Sequence, residues 1–162
     1  MIKKFDNISQ ICFSELMRVY EEGNVDNAKI RYSNMDANAA VLQVEQDFYA
    51  YLEEVFFAAK DAKYYVLSEN EKYLAALRIE PFENGVLLEG LETRPGFRCC
   101  GFAKQLVGRM LSEVDCPVYS HVMKDNFPSL RTHYSCGFEK YSDTANMING
   151  SINRDCFTLI RK

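Results

Sequence analysis

Between Val41 and Glu92 the sequence changes from one period to another. Val41, Val44, Phe48, Leu52, Val55, Phe56 and Ala59 recur at three- and four-residue spacing, which gives a helix one apolar face. From Tyr64 onward the apolar residues come in short runs instead. Tyr64-Tyr65-Val66-Leu67, Tyr73 to Ile79, and Val86 to Glu92 are separated by the turn signals Glu69-Asn70-Glu71 and Glu83-Asn84-Gly85. Turns this short join antiparallel neighbours, so the middle of the chain predicts a three-stranded meander. That excludes an all-helical fold and requires the flanking segments to cover the sheet. Gly90, inside the third run, predicts a bulge or a close backbone approach.

The flanks supply helices. Ile2 to Phe5 predicts a short edge strand, and Asn7 a cap for a helix reaching Tyr20, with Ile8, Ile11, Cys12, Leu16 and Val19 on one face. Glu21-Glu22-Gly23 is expected to end it. A polar, irregular stretch follows, with room for a short helix, before a helix from Ala40 to Ala59. Beyond the meander, Phe102, Leu106, Met110 and Leu111 predict a helix from Gly101 to Val114, and Pro117 to Val122 a strand. Asn126 as cap, Pro128 in the first turn and Gly137 past the end bracket a helix from Phe127 to Ser135. Phe138 to Tyr141 and Phe157 to Arg161 read as the last strands, with Asn149-Gly150 in their connection. The expected class is α/β (α+β): one domain over residues 1–162, with a mixed, mostly antiparallel central sheet of about six to seven strands flanked by about four helices.

A chain of 162 residues buries roughly 70% of its unfolded surface, enough for a full core. A formal charge of −4 argues against a nucleic-acid binder that lives on phosphate contacts. No stretch has the length of a membrane span. Met1-Ile2-Lys3-Lys4-Phe5 carries charge without an apolar signal region, so a cytoplasmic, reducing location is expected, and the six cysteines read as free thiols.

The chemistry concentrates in Gly96-Phe97-Arg98-Cys99-Cys100-Gly101, where a strand passes through a glycine-bounded loop into a helix. First-turn amides of a helix have no intrahelical partner, and with the helix dipole they favour an anion. Gly101 admits a ligand to the backbone, Ala103 keeps the next position small, and Arg98 adds positive charge. A diphosphate fits this loop. No Gly-Lys-Ser/Thr follows, so it is not a Walker loop, and the glycine triplet of a dinucleotide fingerprint is absent.

Arg98-Cys99-Cys100-Gly101-Phe102-Ala103 resembles the Gln/Arg-x-x-Gly-x-Gly/Ala motif of the GNAT superfamily of N-acetyltransferases. Leu91-Glu92-Thr93-Arg94-Pro95 is similar to the family's strand end before that motif, and Asn126, Ser129, Gly137 and Phe138 fit its second signature at the expected spacing. The element order agrees along nearly the whole chain; the first helices and last strands agree only in type. The resemblance implies a GNAT-like fold with acetyl-CoA as co-substrate and no metal. It implies a pyrophosphate held by Arg98 and the amides of Cys99, Cys100, Gly101, Phe102, Ala103 and Lys104. The pantetheine arm would lie along Leu91, Glu92 and Thr93, with Asn126 touching it. The acetyl group would pass directly to an amine of a small molecule or a protein. This chain departs from the family in two places: Cys99 and Cys100 replace frequent glycines or basic residues, and His133 stands where many members carry a general-acid Tyr, with Tyr134 one residue later.

An alkyl amine of pKa about 10 is neutral in only about one molecule in a thousand at pH 7, and only the neutral form attacks. A base should help. Glu89 and Glu92 are the candidate carboxylates, expected on opposite or bulge-altered faces so that one of them serves. A bulge amide near Leu91 to Thr93 is the candidate oxyanion donor. His133 or Tyr134 is the candidate proton source for the leaving thiolate.

Three other readings are weighed beside this one. Cys116, His121, His133 and Cys136 offer zinc ligands, but only His133-x-x-Cys136 is compact. Cys99 or Cys100 at a helix N-terminus could serve as a nucleophile in a Cys-dependent acyltransferase or hydrolase. A CoA-binding module without catalysis would also explain the displaced Tyr. The acceptor carries no motif, and either a monomer or a homodimer is compatible with the sequence.

Overall fold

The computed structural model covers residues 1–162. The predicted meander is present as strands β2 (Lys63–Glu69), β3 (Lys72–Phe82) and β4 (Gly85–Thr93), paired antiparallel in sequence order. Strand β1 (Ile2–Phe5) adds to the free edge of β2. Strands β5 (Val118–Met123), β6 (Glu139–Ser142) and β9 (Cys156–Arg161) complete a seven-stranded sheet in the order β1-β2-β3-β4-β5-β9-β6. The Asn149-Gly150 connection holds a two-strand hairpin of its own, β7 (Ala145–Asn146) and β8 (Ile152–Asn153).

The one parallel junction is β4 with β5, and it is short. Only Val86↔Val118, Leu87↔Tyr119 and Leu88↔Ser120 pair. Beyond them Glu89 to Thr93 pair only with β3, and His121 to Met123 only with β9. The sheet is therefore open at one end of this seam.

Five α-helices cover the sheet, one more than the expected four, and the added one is α2 (Glu21–Arg31), where the polar stretch left room for a short helix. Its acidic first turn and basic last turn suit the helix dipole, and Gly23 sits within it without ending it. The first predicted helix is interrupted: a 3-10 turn at Ile8–Gln10, capped by Asn7, precedes α1 (Phe13–Val19). Helix α3 (Ala37–Tyr51) begins earlier than Ala40 because the Asp36 side chain accepts from the amides of Asn38 and Ala39; it closes in a π turn, Leu52–Phe56. Helices α4 (Phe102–Leu111) and α5 (Phe127–Ser135) start where expected.

Two cores result, one on each face. Leu16, Val19, Leu52, Phe56, Tyr64, Val66, Tyr73 and Ala76 join α1 and α3 to one face. Tyr65, Leu77, Ile79, Leu88, Leu106, Met110, Leu130 and Phe138 join α4 and α5 to the other. Alternate residues of β2 and β3 feed the two clusters, as the pleat requires.

Candidate functional site

The loop after β4 is held from behind. The Arg94 amide donates to the Leu74 carbonyl, its guanidinium meets Glu15 at 2.9 Å, and the Phe97 amide closes a turn on Arg94. Left-handed backbone at Gly96, Cys99 and Gly101 then turns the chain into α4. Glycine is the natural occupant at two of these positions, and Cys99 takes the third at some strain. The amides of residues 98 to 104 donate to no protein acceptor; the first intrahelical bond is Gln105 to Gly101. A Cβ on Gly101 would meet no protein atom within 4 Å. The sequence-predicted residues Arg98, Cys99, Cys100, Gly101, Phe102, Ala103 and Lys104 thus form a run of unpaired N–H groups at a helix N-terminus, which suits a diphosphate.

The Arg98 side chain reaches across the loop, at 2.7 Å from Glu22 of α2 and 3.3 Å from Glu92 of β4. The Asn126 side chain accepts from the Ser129 amide and so caps α5. Cys99 and Cys100 are exposed, and neither thiol meets a histidine. No three His, Cys, Asp or Glu side chains are grouped as a metal would need.

Of the two expected arrangements the structure has the bulge-altered one, with both carboxylate candidates on one face. The register pairs Arg78 with Glu89 and Ala76 with Glu92, and Arg78 and Ala76 share a face. The bulge at Gly90 and Leu91 opposite Leu77 produces this three-residue spacing on β4. Gly90 takes a φ of 57°, and a side chain there would run into the Arg78 guanidinium. Its carbonyl accepts from the Tyr20 hydroxyl at 2.7 Å, which also meets the Tyr64 hydroxyl at 2.7 Å. Leu91, Glu92 and Thr93, the predicted arm-binding residues, occupy the part of β4 that has no β5 partner.

Beside the bulge is a cavity of about 500 Å³ between α2, α3 and β4. Asn24, Asp47, Phe48, Tyr51, Arg78 and Gly90 are among its walls. Asp47 is held at its rim by Tyr32, Gln43 and Arg31, which keep its carboxyl below the usual range, Tyr32 most of all. A second cavity of about 530 Å³ adjoins α2 and is lined by Glu21, Glu22, Asp26 and Lys29. Arg78 closes the floor of the first cavity, stacked over Phe48, Tyr51 and Phe56, with its Nε 3.5 Å from Glu89. Burial works against the Arg78 charge, but Tyr64, Glu89 and neighbouring hydroxyls outweigh it and hold the guanidinium protonated.

Sequence reading missed Arg78, Glu80, Tyr20, Tyr51 and Tyr64, and weighed His121 only as a zinc ligand. The signal lay in β3: charges at Arg78 and Glu80, two residues apart in an apolar strand, must share one face.

His133 is 1% exposed and packs edge-on against Phe138, so it belongs to the α4–α5 core. Its Nδ1 lies 2.8 Å from the Ser129 carbonyl, an acceptor, so Nδ1 carries the proton and the unpartnered Nε2 does not. Burial lowers its pKa, with the Ser129 carbonyl opposing. A neutral ring in this tautomer has no proton to give through Nε2. Tyr134 is exposed, on the Lys140 side of α5.

A model of the family described as "Acetyltransferase (GNAT) family" matches residues 29–138. No curated protein sequence matches the chain. Among solved structures, the fold is similar to an acetyltransferase from Streptococcus agalactiae (TM-score 0.68, 18% identity, covering 99% of this chain and 96% of that one). It is also similar to the PaiA N-acetyltransferase of Thermoplasma acidophilum in complex with coenzyme A (TM-score 0.65, 12% identity, 100% and 99% covered). A third likeness is to the Campylobacter jejuni N-acetyltransferase PseH in complex with acetyl coenzyme A (TM-score 0.62, 14% identity, 100% and 99% covered). At these identities the likeness is one of fold.

Proposed function

Since the chain belongs to the acetyltransferase (GNAT) family, we propose that it transfers an acetyl group from acetyl-CoA directly to a primary amine seated in the cavity beside Gly90. The run of unpaired amides at residues 98 to 104, next to a strand segment with one unpaired edge, carries this reading. It supplies donors for a diphosphate and a strand edge for an amide-bearing arm, and two of the similar structures hold coenzyme A or acetyl coenzyme A. Acetyl-CoA supplies an activated acyl carbon. The protein's own residues bind, orient and move protons.

Glu89 is the base. It flanks the bulge and pairs with Arg78 of the cavity floor, whereas Glu92 is committed to Arg98 and is more exposed. Tyr20 fixes the Gly90 carbonyl and with it the direction of the neighbouring amides, which face the reacting carbonyl as donors. The leaving thiolate has a thiol pKa near 8.5, so solvent or Tyr134 suffices as proton source, and His133 serves the core instead. Six unpaired cysteines, three of them exposed, favour a reducing compartment. No helix is long and apolar enough to cross a membrane.

Thermal unfolding with acetyl-CoA, with ADP as control, tests the binding step. Ligand at a hundredfold its dissociation constant adds about 2.7 kcal/mol, or roughly 5 to 10 °C in midpoint for a chain of this size. Gly101→Val should abolish that shift, because the new side chain stands on the ligand face of the loop. Its own midpoint should fall by only a few degrees, the left-handed strain costing about 1–2 kcal/mol. A normal acetyl-CoA shift in folded Gly101→Val would remove the phosphate site from this loop. Thiol release on adding amines then tests the transfer itself.

A further inference from the structure

Six buried side-chain atoms in the molecule have no hydrogen-bond partner, and five of them meet on one patch: Arg78 Nε and Glu89 Oε2, which face each other as an ion pair at 3.5 Å, and Glu80 Oε1 and both ring nitrogens of His121, which face no partner at all. The register explains the convergence. Arg78 and Glu80 share a face of β3, and Glu89 lies opposite Arg78. Leu87 pairs with Tyr119, so two residues further on Glu89 and His121 face the same way, just past the last paired residues, Leu88 and Ser120. The patch lies where β4 and β5 part, beside the floor of the cavity. Buried polar atoms in native proteins are otherwise paired, and such a concentration marks a place where water or a polar ligand completes the set.

An ion pair between Arg78 and Glu89 would satisfy the charges by itself. The sequence instead adds a second buried carboxyl beside the first. Two carboxylates sharing one guanidinium cannot both ionise cheaply, so the pair keeps one proton until its raised titration is passed, and the fully ionised pair above it is the form that accepts a proton. Burial first, and then Glu89, push the Glu80 carboxyl up to about 7. Burial keeps the His121 ring neutral, with Glu89 opposing. The other groups around the patch do not compete for this proton: Tyr20, Tyr51 and Tyr64 are raised by burial, and Arg78 stays charged. Phe82 stacks edge-on with His121, and the neighbour from β9 is Thr158.

We propose that Glu80 and His121 complete a proton relay with Glu89, in which the carboxyl pair receives the proton of the acceptor ammonium and His121 passes it to solvent. This rests on the reading of Glu89 as the base. The ammonium N–H bond breaks, its electron pair stays on nitrogen, and an O–H bond forms on Glu89. The proton is shared with Glu80, passes through water bridging the patch to a ring nitrogen of neutral His121, and leaves along the same water to bulk solvent, returning the pair to its first state. Glu80 and His121 are positioning and proton-carrying residues; only Glu89 touches the amine.

The test is the pH profile of kcat/KM, followed by thiol release with acetyl-CoA and three probe amines: phenylethylamine, glycinamide and 1,4-diaminobutane. The wild type should show an acid limb near the Glu80 value of about 7. Glu80→Gln should move that limb by at least about one pH unit and lower kcat about tenfold, within the range of acid–base effects. His121→Asn should lower kcat similarly with KM unchanged. An unmoved limb, with kcat within about twofold in both variants, overturns the relay while leaving acetyl transfer standing. If no amine releases thiol, the transfer reading fails separately. The carboxyl pair is then read by carbon-13 NMR of glutamate-labelled protein. A resonance titrating near 7, absent in Glu80→Gln and lowered in Glu89→Gln, supports the shared proton; ordinary titration of every carboxyl overturns it.

Discussion

A carboxyl that loses its water on folding and faces a second carboxylate keeps its proton to higher pH than it does in the unfolded chain. Glu80 is in that position, moved from its ordinary 4.5 to about 7. The folded state therefore binds the extra proton between those values, and the stability it brings is present below 4.5 and lost as pH rises through 7. The two histidines act in the opposite sense. His121 and His133 are both lowered from 6.5 by burial, so their contribution is present above 6.5 and is lost as pH falls from there through their lowered folded-state values. Urea midpoints should decline from pH 6 to 8 in the wild type and stay flatter in Glu80→Gln. His133→Ala should cost about 2–4 kcal/mol, as a cavity beside Phe138, whereas exposed Tyr134→Phe should stay within about 0.5 kcal/mol. A loss of turnover in folded Tyr134→Phe, with stability unchanged, would identify Tyr134 as the thiolate's proton source.

At the scale of elements, what was legible depended on how local the cause was. The loop at residues 98 to 104 could be read because left-handed turns and a helix start are decided within a few residues. The same holds for α5, whose cap, proline and terminal glycine all lie within its own sequence. Asp36 was equally local, and the capping rule applied there would have started α3 correctly. The facing of Glu89 and Glu92 was legible only in part: Gly90 announced a bulge, but whether it put the two carboxylates on one face depends on the partner strand. Helix α2 was obscured by Gly23 and by a sparse apolar face, with Ala28 its one buried apolar residue. The short β4–β5 seam depends on Gly85, where a Cβ would run into the Pro117 carbonyl, itself the acceptor for the Val86 amide. Gly85→Ala should destabilise the protein by about 1–3 kcal/mol through that clash, measured by chemical denaturation.

At the scale of the whole molecule, the proposed site occupies the place where the sheet stops pairing. Backbone groups of Glu89 to Thr93 that face the gap should exchange hydrogen faster than those of β2 and β3. Acetyl-CoA should slow exchange there and at residues 98 to 104, and leave the α1–α3 face nearly unchanged. Protection confined to the helices would place the cofactor elsewhere.

The two cores described above meet only through the backbone of the strands between them. Residues of α2 and α3 around the cavity pack on one face, while the loop and α4 are supported from the other. Three side chains of the first sixty residues nevertheless reach the donor side: Glu15 holds Arg94, Glu22 holds Arg98, and the Tyr20 hydroxyl holds the Gly90 carbonyl. A lineage built on this plan can exchange one acceptor for another by drift in its first sixty residues, provided that Glu15, Tyr20 and Glu22 stay in place.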